Sequence, residues 1–186
     1  MPTLDNLRIA VIATDGVEEP ELAEPVRALR EAGARTELLS VEPGQIQAVR
    51  HDLQPTQTFD VDKTLDQADP GDYDALLLPG GAVNADRLRM EPDAQSFIKQ
   101  INGAGKPMAV ICHAPWELVS SGLARGRTLT SYHTTQDDLR NAGATWVDQE
   151  VVVDGNLVTS RQPSDIPAFN REMLNLFAAA RSGSGN

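Results

Sequence analysis

Short apolar runs alternate with amphipathic stretches along this chain, and their order is the first guide to its fold. "LRIAVIAT" (7–14) is rich in β-formers and ends at Asp15-Gly16, so it reads as a buried strand. In "EPELAEPVRALREAGA", Leu22, Val26 and Leu29 recur at helical spacing, and Gly33 stands where a helix closes. Pro25 falls inside this pattern and predicts an irregular first turn. "RTELLSV" (35–41) predicts a second strand; residues 42–73, polar and turn-rich, predict short strands and a connection. "YDALLLPGG" (73–81) is a buried strand running into a glycine loop. "PDAQSFIKQINGAG" (92–105) predicts a helix and "KPMAVICH" (106–113) the next strand. "PWELVSSGLA" reads as a helix, "RTLTSY" as a strand and "TTQDDLRNAGA" as a helix. Between 145 and 161, Asp154-Gly155-Asn156 separates two β-rich runs and predicts a hairpin. "DIPAFNREMLNLFAAAR" closes the domain as a helix, so one domain is expected over 1–181, with 182–186, "SGSGN", as a loose tail.

Strands alternating with helices predict an α/β fold with a doubly wound, mostly parallel sheet and helices on both faces. Runs such as "AVIA", "ALLL" and "MAVI" are apolar at every position, as strands covered on both faces must be. Ligands of open α/β sheets bind at the carboxyl ends of the strands. That rule gathers three loops: Thr14–Glu21, Pro79–Asp86 and Cys112–Trp116.

Charge and composition narrow the function classes. The 186 residues carry 27 acidic and 16 basic side chains, a net charge of −11, which repels phosphate backbones and argues against nucleic-acid binding through a basic groove. No apolar run approaches the roughly 20 residues of a membrane span, and the N-terminus has no basic region before its apolar stretch. A lone cysteine forms no internal disulfide. A cytoplasmic protein is the expectation.

That cysteine, Cys112 in "VICHAPWELVSSG", carries the chemical question. By residue type a free cysteine is a small core filler. Its place reverses that reading: it ends a buried strand, and Pro115 suits the first position of the next helix. A strand–nucleophile–helix turn lifts a side chain above the sheet and aims helix amides at it, although the flanking glycines of the hydrolase elbow are missing here. The expectation is therefore a thiol partly ionised near neutral pH. His113 is adjacent, but neighbours along a strand point to opposite sides, so the two pair only if the chain turns sharply. Glu18 and Glu21 in "DGVEEPEL" share a face if that loop enters a helix. They are either first-turn acids favoured by the helix dipole or a crowded pair with one carboxyl protonated beside the thiol. Gly80 and Gly81 let a loop approach the cysteine closely.

"DGVEEPEL", "DALLLPGG", "AVICHAPWELVSSGLARGRTLTSY" and "NAGATWVDQEVVVDGNLVTSRQPSDIPAFNREML", in this order from about Leu7 to Phe177, resemble the ThiJ/PfpI superfamily, in particular its PfpI-type intracellular proteases and stress proteins. The resemblance implies a flavodoxin-like fold with Cys112 at the nucleophile elbow. It implies that Glu21 touches the thiol, that Glu18 is a second acid at the site, and that His113 is the family's histidine. It implies an oxyanion hole from the amides of Gly81 and His113, with Tyr132 near the cysteine. It also implies a Cys–His–acid triad completed by a neighbouring subunit, here by Asp86 in a glycine loop one residue longer than the family's, and hence a homodimer, with hexamers as a further assembly. No cofactor or metal is implied. Trp116 is expected to border the substrate pocket, His51 to be a surface or linker residue, and His133 to be surface polarity.

Two classes of function follow. The first is a cysteine hydrolase attacking a carbonyl carbon of a small aldehyde, a glycated protein or a peptide, with deglycase, glyoxalase or peptidase activity. The second is a redox sensor or holdase chaperone that uses an oxidisable cysteine without turnover. A flavin or nucleotide module is disfavoured, since no Gly-x-Gly-x-x-Gly follows the first strand.

Overall fold

Along β1 (Arg8–Ile12) the side chains sort by alternation: Ile9 and Val11 enter one core, Ala10 and Ile12 the other. The same division holds in β7 (Ala75–Leu78) and β8 (Met108–Ile111), whose residues are all buried. The computed structural model describes residues 2–183. The helix α1 (Glu19–Glu31) follows β2 (Val17–Glu18), and β3 (Arg35–Ser40) follows α1. Then come β4 (Gln45–Arg50), β5 (Gln54–Asp60) and β6 (Lys63–Thr64) before β7, and α2 (Ala82–Leu88) and α3 (Pro92–Gly103) before β8. After β8 lie α4 (Pro115–Ser120), β9 (Thr128–Leu129), α5 (Gln136–Asn141), β10 (Thr145–Trp146), β11 (Val151–Asp154), β12 (Leu157–Ser160) and α6 (Ile166–Gly183). Ser182 and Gly183, the start of the expected tail, continue α6; 184–186 lie outside the described residues.

Among the described residues, seven strands form the main sheet in the order β11–β12–β8–β7–β1–β3–β6, parallel except for the β11–β12 hairpin. Leu22 and Leu29 of α1 and Phe169, Met173 and Phe177 of α6 fill one core. Phe97, Ile98 and Ile101 of α3, Leu118 of α4 and Leu139 of α5 fill the other. This is the expected doubly wound, flavodoxin-like architecture. The connections leave β1 and β7 in opposite directions, which opens a crevice at their carboxyl ends, beside the end of β8.

Within 42–73 the expected short strands include β4 and β5, which form a hairpin joined by β2 into a three-stranded sheet. The structure departs from the sequence pattern in three places. "RTLTSY" supplies only the two-residue β9, which pairs with β10 outside the main sheet, because β12 occupies the edge of β8. A helix absent from the pattern, α2, follows the glycine loop; at seven residues it has too few apolar positions to show a period. Lastly, α1 runs through Pro25 without interruption.

Candidate active site

Cys112 has φ of +65°, a left-handed conformation that costs a non-glycine residue about 1–3 kcal/mol. The surrounding structure holds it there. The Cys112 N–H donates to the Ser160 carbonyl at 3.0 Å, and its own carbonyl accepts from the Tyr132 N–H at 2.8 Å. Within the turn, Ala114 N–H donates to the Ile111 carbonyl at 3.1 Å before Pro115 starts α4. This sharp turn defeats the alternation of a strand and brings adjacent side chains together: Cys112 Sγ lies 3.2 Å from His113 Nδ1. The imidazole stacks on Tyr132, with centroids 4.7 Å apart, and meets Trp116 edge-on at 5.4 Å. Trp116 is held in turn by its Nε1–H, which donates to Asp138 Oδ2 at 2.8 Å. A neutral imidazole with Nδ1 unprotonated would accept the S–H proton in this geometry.

Gly80 and Gly81 close the other side. A Cβ on Gly80 would fall on Glu21 Oε2 and 2.5 Å from the Cys112 Cβ, so a side chain there would separate acid from thiol. Gly81 has φ of +97°, and a Cβ on it would run into the backbone of Gly16–Glu18. The Gly81 amide favours the thiolate form of Cys112 and lowers its pKa against burial. The backbone amide of His113 is not used by the turn, whose hydrogen bonds run from Ala114 and Trp116.

Burial dominates the electrostatics. Glu21 is fully buried, Cys112 and His113 each 5 % exposed. Desolvation pushes the Glu21 carboxyl well above the usual carboxylate range; contacts with the Cys112 thiol and the Gly80 amide pull it back only in part. Neither Glu21 oxygen makes a well-aligned hydrogen bond, so the contact is a close approach of an acid and a thiol. Burial and then the charge of Glu21 push the thiol well up, against the pull of the Gly81 amide. This corrects the expected low thiol pKa. The site is buried and faces an acid, and α4 is only six residues long, too short a dipole to outweigh that. Burial lowers the His113 pKa, opposed by the charge of Asp52 and aided by His133. Burial thus favours the uncharged form of all three groups: the thiol, the neutral imidazole and the protonated carboxyl.

Beside this geometry stands the sequence: the model of the DJ-1/PfpI family matches residues 7–176. The chain belongs to the DJ-1/PfpI family. It is 39% identical over 170 residues, 91% of this chain and 99% of its relative, to "Deglycase PfpI" of Pyrococcus furiosus. It is 41% identical over 169 residues, 91% of this chain and 97% of its relative, to "Putative cysteine protease YraA" of Bacillus subtilis. Among solved structures, Drosophila melanogaster DJ-1beta superposes with a TM-score of 0.82 at 27% identity, over 96% of this chain and 97% of that one.

Of the residues that the DJ-1/PfpI resemblance singles out, Cys112, His113, Glu21, Gly80, Gly81, Tyr132 and Trp116 converge. Glu18 does not share their face. It ends β2 one residue before α1, and its carboxylate accepts the His51 and Asp52 N–H groups at 2.9 and 3.1 Å. It holds the β4–β5 turn, and its charge also acts on the Glu21 carboxyl, raising its pKa further. Asp86 is exposed on α2, lining a surface hollow with Asp15, Ser40 and Arg87 and not with its own Cys112 or His113. His51 is exposed in the β4–β5 turn, and His133, also exposed, packs against Tyr132 at 4.5 Å. Two acids were not anticipated. Asp52, in the polar connection, acts electrostatically on Glu21, Cys112 and His113. Glu117, 1 % exposed in α4, has both oxygens unpartnered. Among the described residues, no three His, Cys, Asp or Glu side chains cluster as metal ligands. No helix among them is long and apolar enough to cross a membrane.

Proposed function

We propose that this chain is a cysteine-dependent, stress-protective hydrolase of the PfpI type, acting on a carbonyl carbon. The observation that carries this reading is the strained Cys112 turn, which sets Sγ 3.2 Å from His113 Nδ1. Strain of this kind persists where function requires it. In the reaction, His113 Nδ1 takes the thiol proton as sulfur bonds to the carbonyl carbon, and the amides of Gly81 and His113 stabilise the developing oxyanion. Donors of that kind are worth about 3 kcal/mol each in the transition state. With an acyl substrate the bond to the leaving group breaks and His113 passes the proton to that group. Water cleaves the resulting Cys112 thioester to the acid and the free thiol. With an α-oxoaldehyde the hemithioacetal first isomerises to the thioester by moving a proton from carbon to carbon, and the same hydrolysis follows. With Cys112 5 % exposed, a small aldehyde or an early glycation adduct fits this reading better than an extended peptide. The relatives named deglycase and putative cysteine protease support a hydrolase without choosing between these substrates. A homodimer, with Asp86 of one subunit meeting His113 of the next, belongs to the same reading.

A second reading has its own support. The protonated Glu21 beside the sulfur could donate a hydrogen bond to a sulfinate, which favours an oxidation sensor without turnover. A substrate panel of methylglyoxal, glycated amino acids and fluorogenic peptides separates the two. Product formation lost in Cys112→Ala supports the hydrolase. Equal rates in both proteins, or no turnover with stress protection retained, refute it.

A further inference from the structure

The β4–β5 turn lies far from Cys112 in sequence, yet it is tied to the thiol's loop by a continuous set of hydrogen bonds. Glu18, 6 % exposed, spends both carboxylate oxygens on the backbone of this turn, at His51 and Asp52. His51 and Asp52 both have left-handed φ, +52° and +60°. Side chains pay for that conformation, and asparagine and aspartate pay least. The constrained turn then aims the Asp52 carboxylate at the start of α2, where Oδ1 accepts the Ala82 N–H at 2.8 Å. Ala82 directly follows Gly81, whose own amide favours the thiolate form of Cys112. From below, Gly80 accepts the Glu18 N–H at 3.2 Å, and Asn84 Nδ2 donates to the Gly80 carbonyl at 3.1 Å.

We propose that Asp52 is a positioning residue for the Cys112 site: locked by Glu18, its carboxylate holds the Ala82 amide and thereby fixes the Gly80–Gly81 turn against the thiol. The inference rests on the reading of Cys112 as a nucleophile served by the Gly81 amide. It assigns the site an acid of its own chain, distinct from any that a neighbouring subunit supplies. The acid acts on the loop that receives the oxyanion, through the backbone. Its charge also bears on the thiol, the imidazole and Glu21, so the same side chain influences position and protonation.

Two variants separate these effects. Asp52→Gly removes the carboxylate and accepts the left-handed backbone without strain, whereas Asp52→Asn keeps an oxygen for the Ala82 amide and loses only the charge. In steady-state kinetics, Asp52→Gly is expected to lower kcat by about tenfold to a hundredfold with KM little changed, the size of effect a small misplacement brings. Asp52→Asn is expected to recover kcat to within a few-fold of wild type. Amide hydrogen exchange at Gly81 and Ala82, read by NMR, gives an arm that needs no turnover: fast in Asp52→Gly, close to wild type in Asp52→Asn. Wild-type exchange and wild-type kcat in Asp52→Gly overturn the proposal, as does an Asp52→Asn protein as impaired as Asp52→Gly. If the wild type itself turns over no substrate, the hydrolase reading fails. The exchange arm still decides whether Asp52 holds the loop.

Discussion

Replacing Glu117 should stabilise this protein, and the gain should grow with pH. Glu117 lies in the first turn of α4, where the helix dipole favours negative charge by about 0.3–1 kcal/mol, or roughly 2 kcal/mol in partly buried geometry. Its carboxyl is 1 % exposed with neither oxygen hydrogen-bonded, and an isolated ionised carboxylate in such a place costs several kcal/mol. Burial wins: the pKa is pushed well above the usual carboxylate range, with desolvation as its cause. The sign follows from proton counts. Above about pH 4.3 the unfolded chain releases the Glu117 proton while the folded chain keeps it. The folded state then binds more protons, so stability falls by up to about 1.4 kcal/mol per pH unit until the folded pKa is passed. Even protonated, the unpaired carboxyl costs about 1–3 kcal/mol. Urea unfolding of wild type, Glu117→Gln and Glu117→Leu at fixed protein concentration, from pH 5 to 8, measures both effects. Glu117→Gln should remove the Glu117 part of the pH slope. Glu117→Leu, of similar volume, should add about 1–4 kcal/mol at pH 7. A wild-type-minus-Gln difference that stays flat from pH 5 to 8, together with a Leu variant no more stable than wild type, refutes the argument.

Glu21→Gln should lower the midpoint of the pH curve for alkylation of Cys112 by iodoacetamide, since at the high pH where the buried thiol titrates an ionised Glu21 is one of the causes that raise it; an unmoved midpoint means that the acid does not act on the sulfur. Gly80→Ala places a methyl group on Glu21 Oε2 and 2.5 Å from the Cys112 Cβ, so thermal and urea unfolding should show a loss of about 1–3 kcal/mol, and alkylation of Cys112 should change rate. A Gly80→Ala protein with wild-type stability and thiol reactivity would show that the loop yields at no cost.

The parts of this fold that were legible in the sequence are those where burial leaves no choice of residue. β1, β7 and β8 are covered on both faces, so "AVI", "ALLL" and "MAVI" had to be apolar throughout, and they announced themselves. The β4–β5 hairpin gave no such signal. Most of β5 is exposed or half-buried, so "QPTQTFD" shows no alternation and gave no strand bounds within a stretch read only as short strands and a connection. For the site, a lone cysteine between an apolar strand and a helix-starting proline was enough to place Cys112 in a sharp strand–helix turn, because that spacing constrains the backbone locally. The acids were harder, since what an acid does depends on what lies across from it. Glu18 and Glu21 stand three apart, a helical spacing, but α1 begins at Glu19, so Glu18 remains in β2 and turns to the hairpin while Glu21 turns to the thiol. Asp52 meets Ala82 across 30 positions, through a left-handed backbone that residue type allows but does not demand. Glu117 did carry a signal: Ala114, Glu117, Leu118 and Ser121 recur at helical spacing and are all buried, so the acid sits within the buried stripe of its helix. Position in that stripe, more than charge in a first turn, was the stronger evidence. A buried acid that pairs with nothing imposes a cost that a leucine there would not, and Glu21 carries the same cost beside the sulfur. Both lower stability as pH rises above the ordinary carboxylate range, but only Glu21 lies beside the Cys112 sulfur.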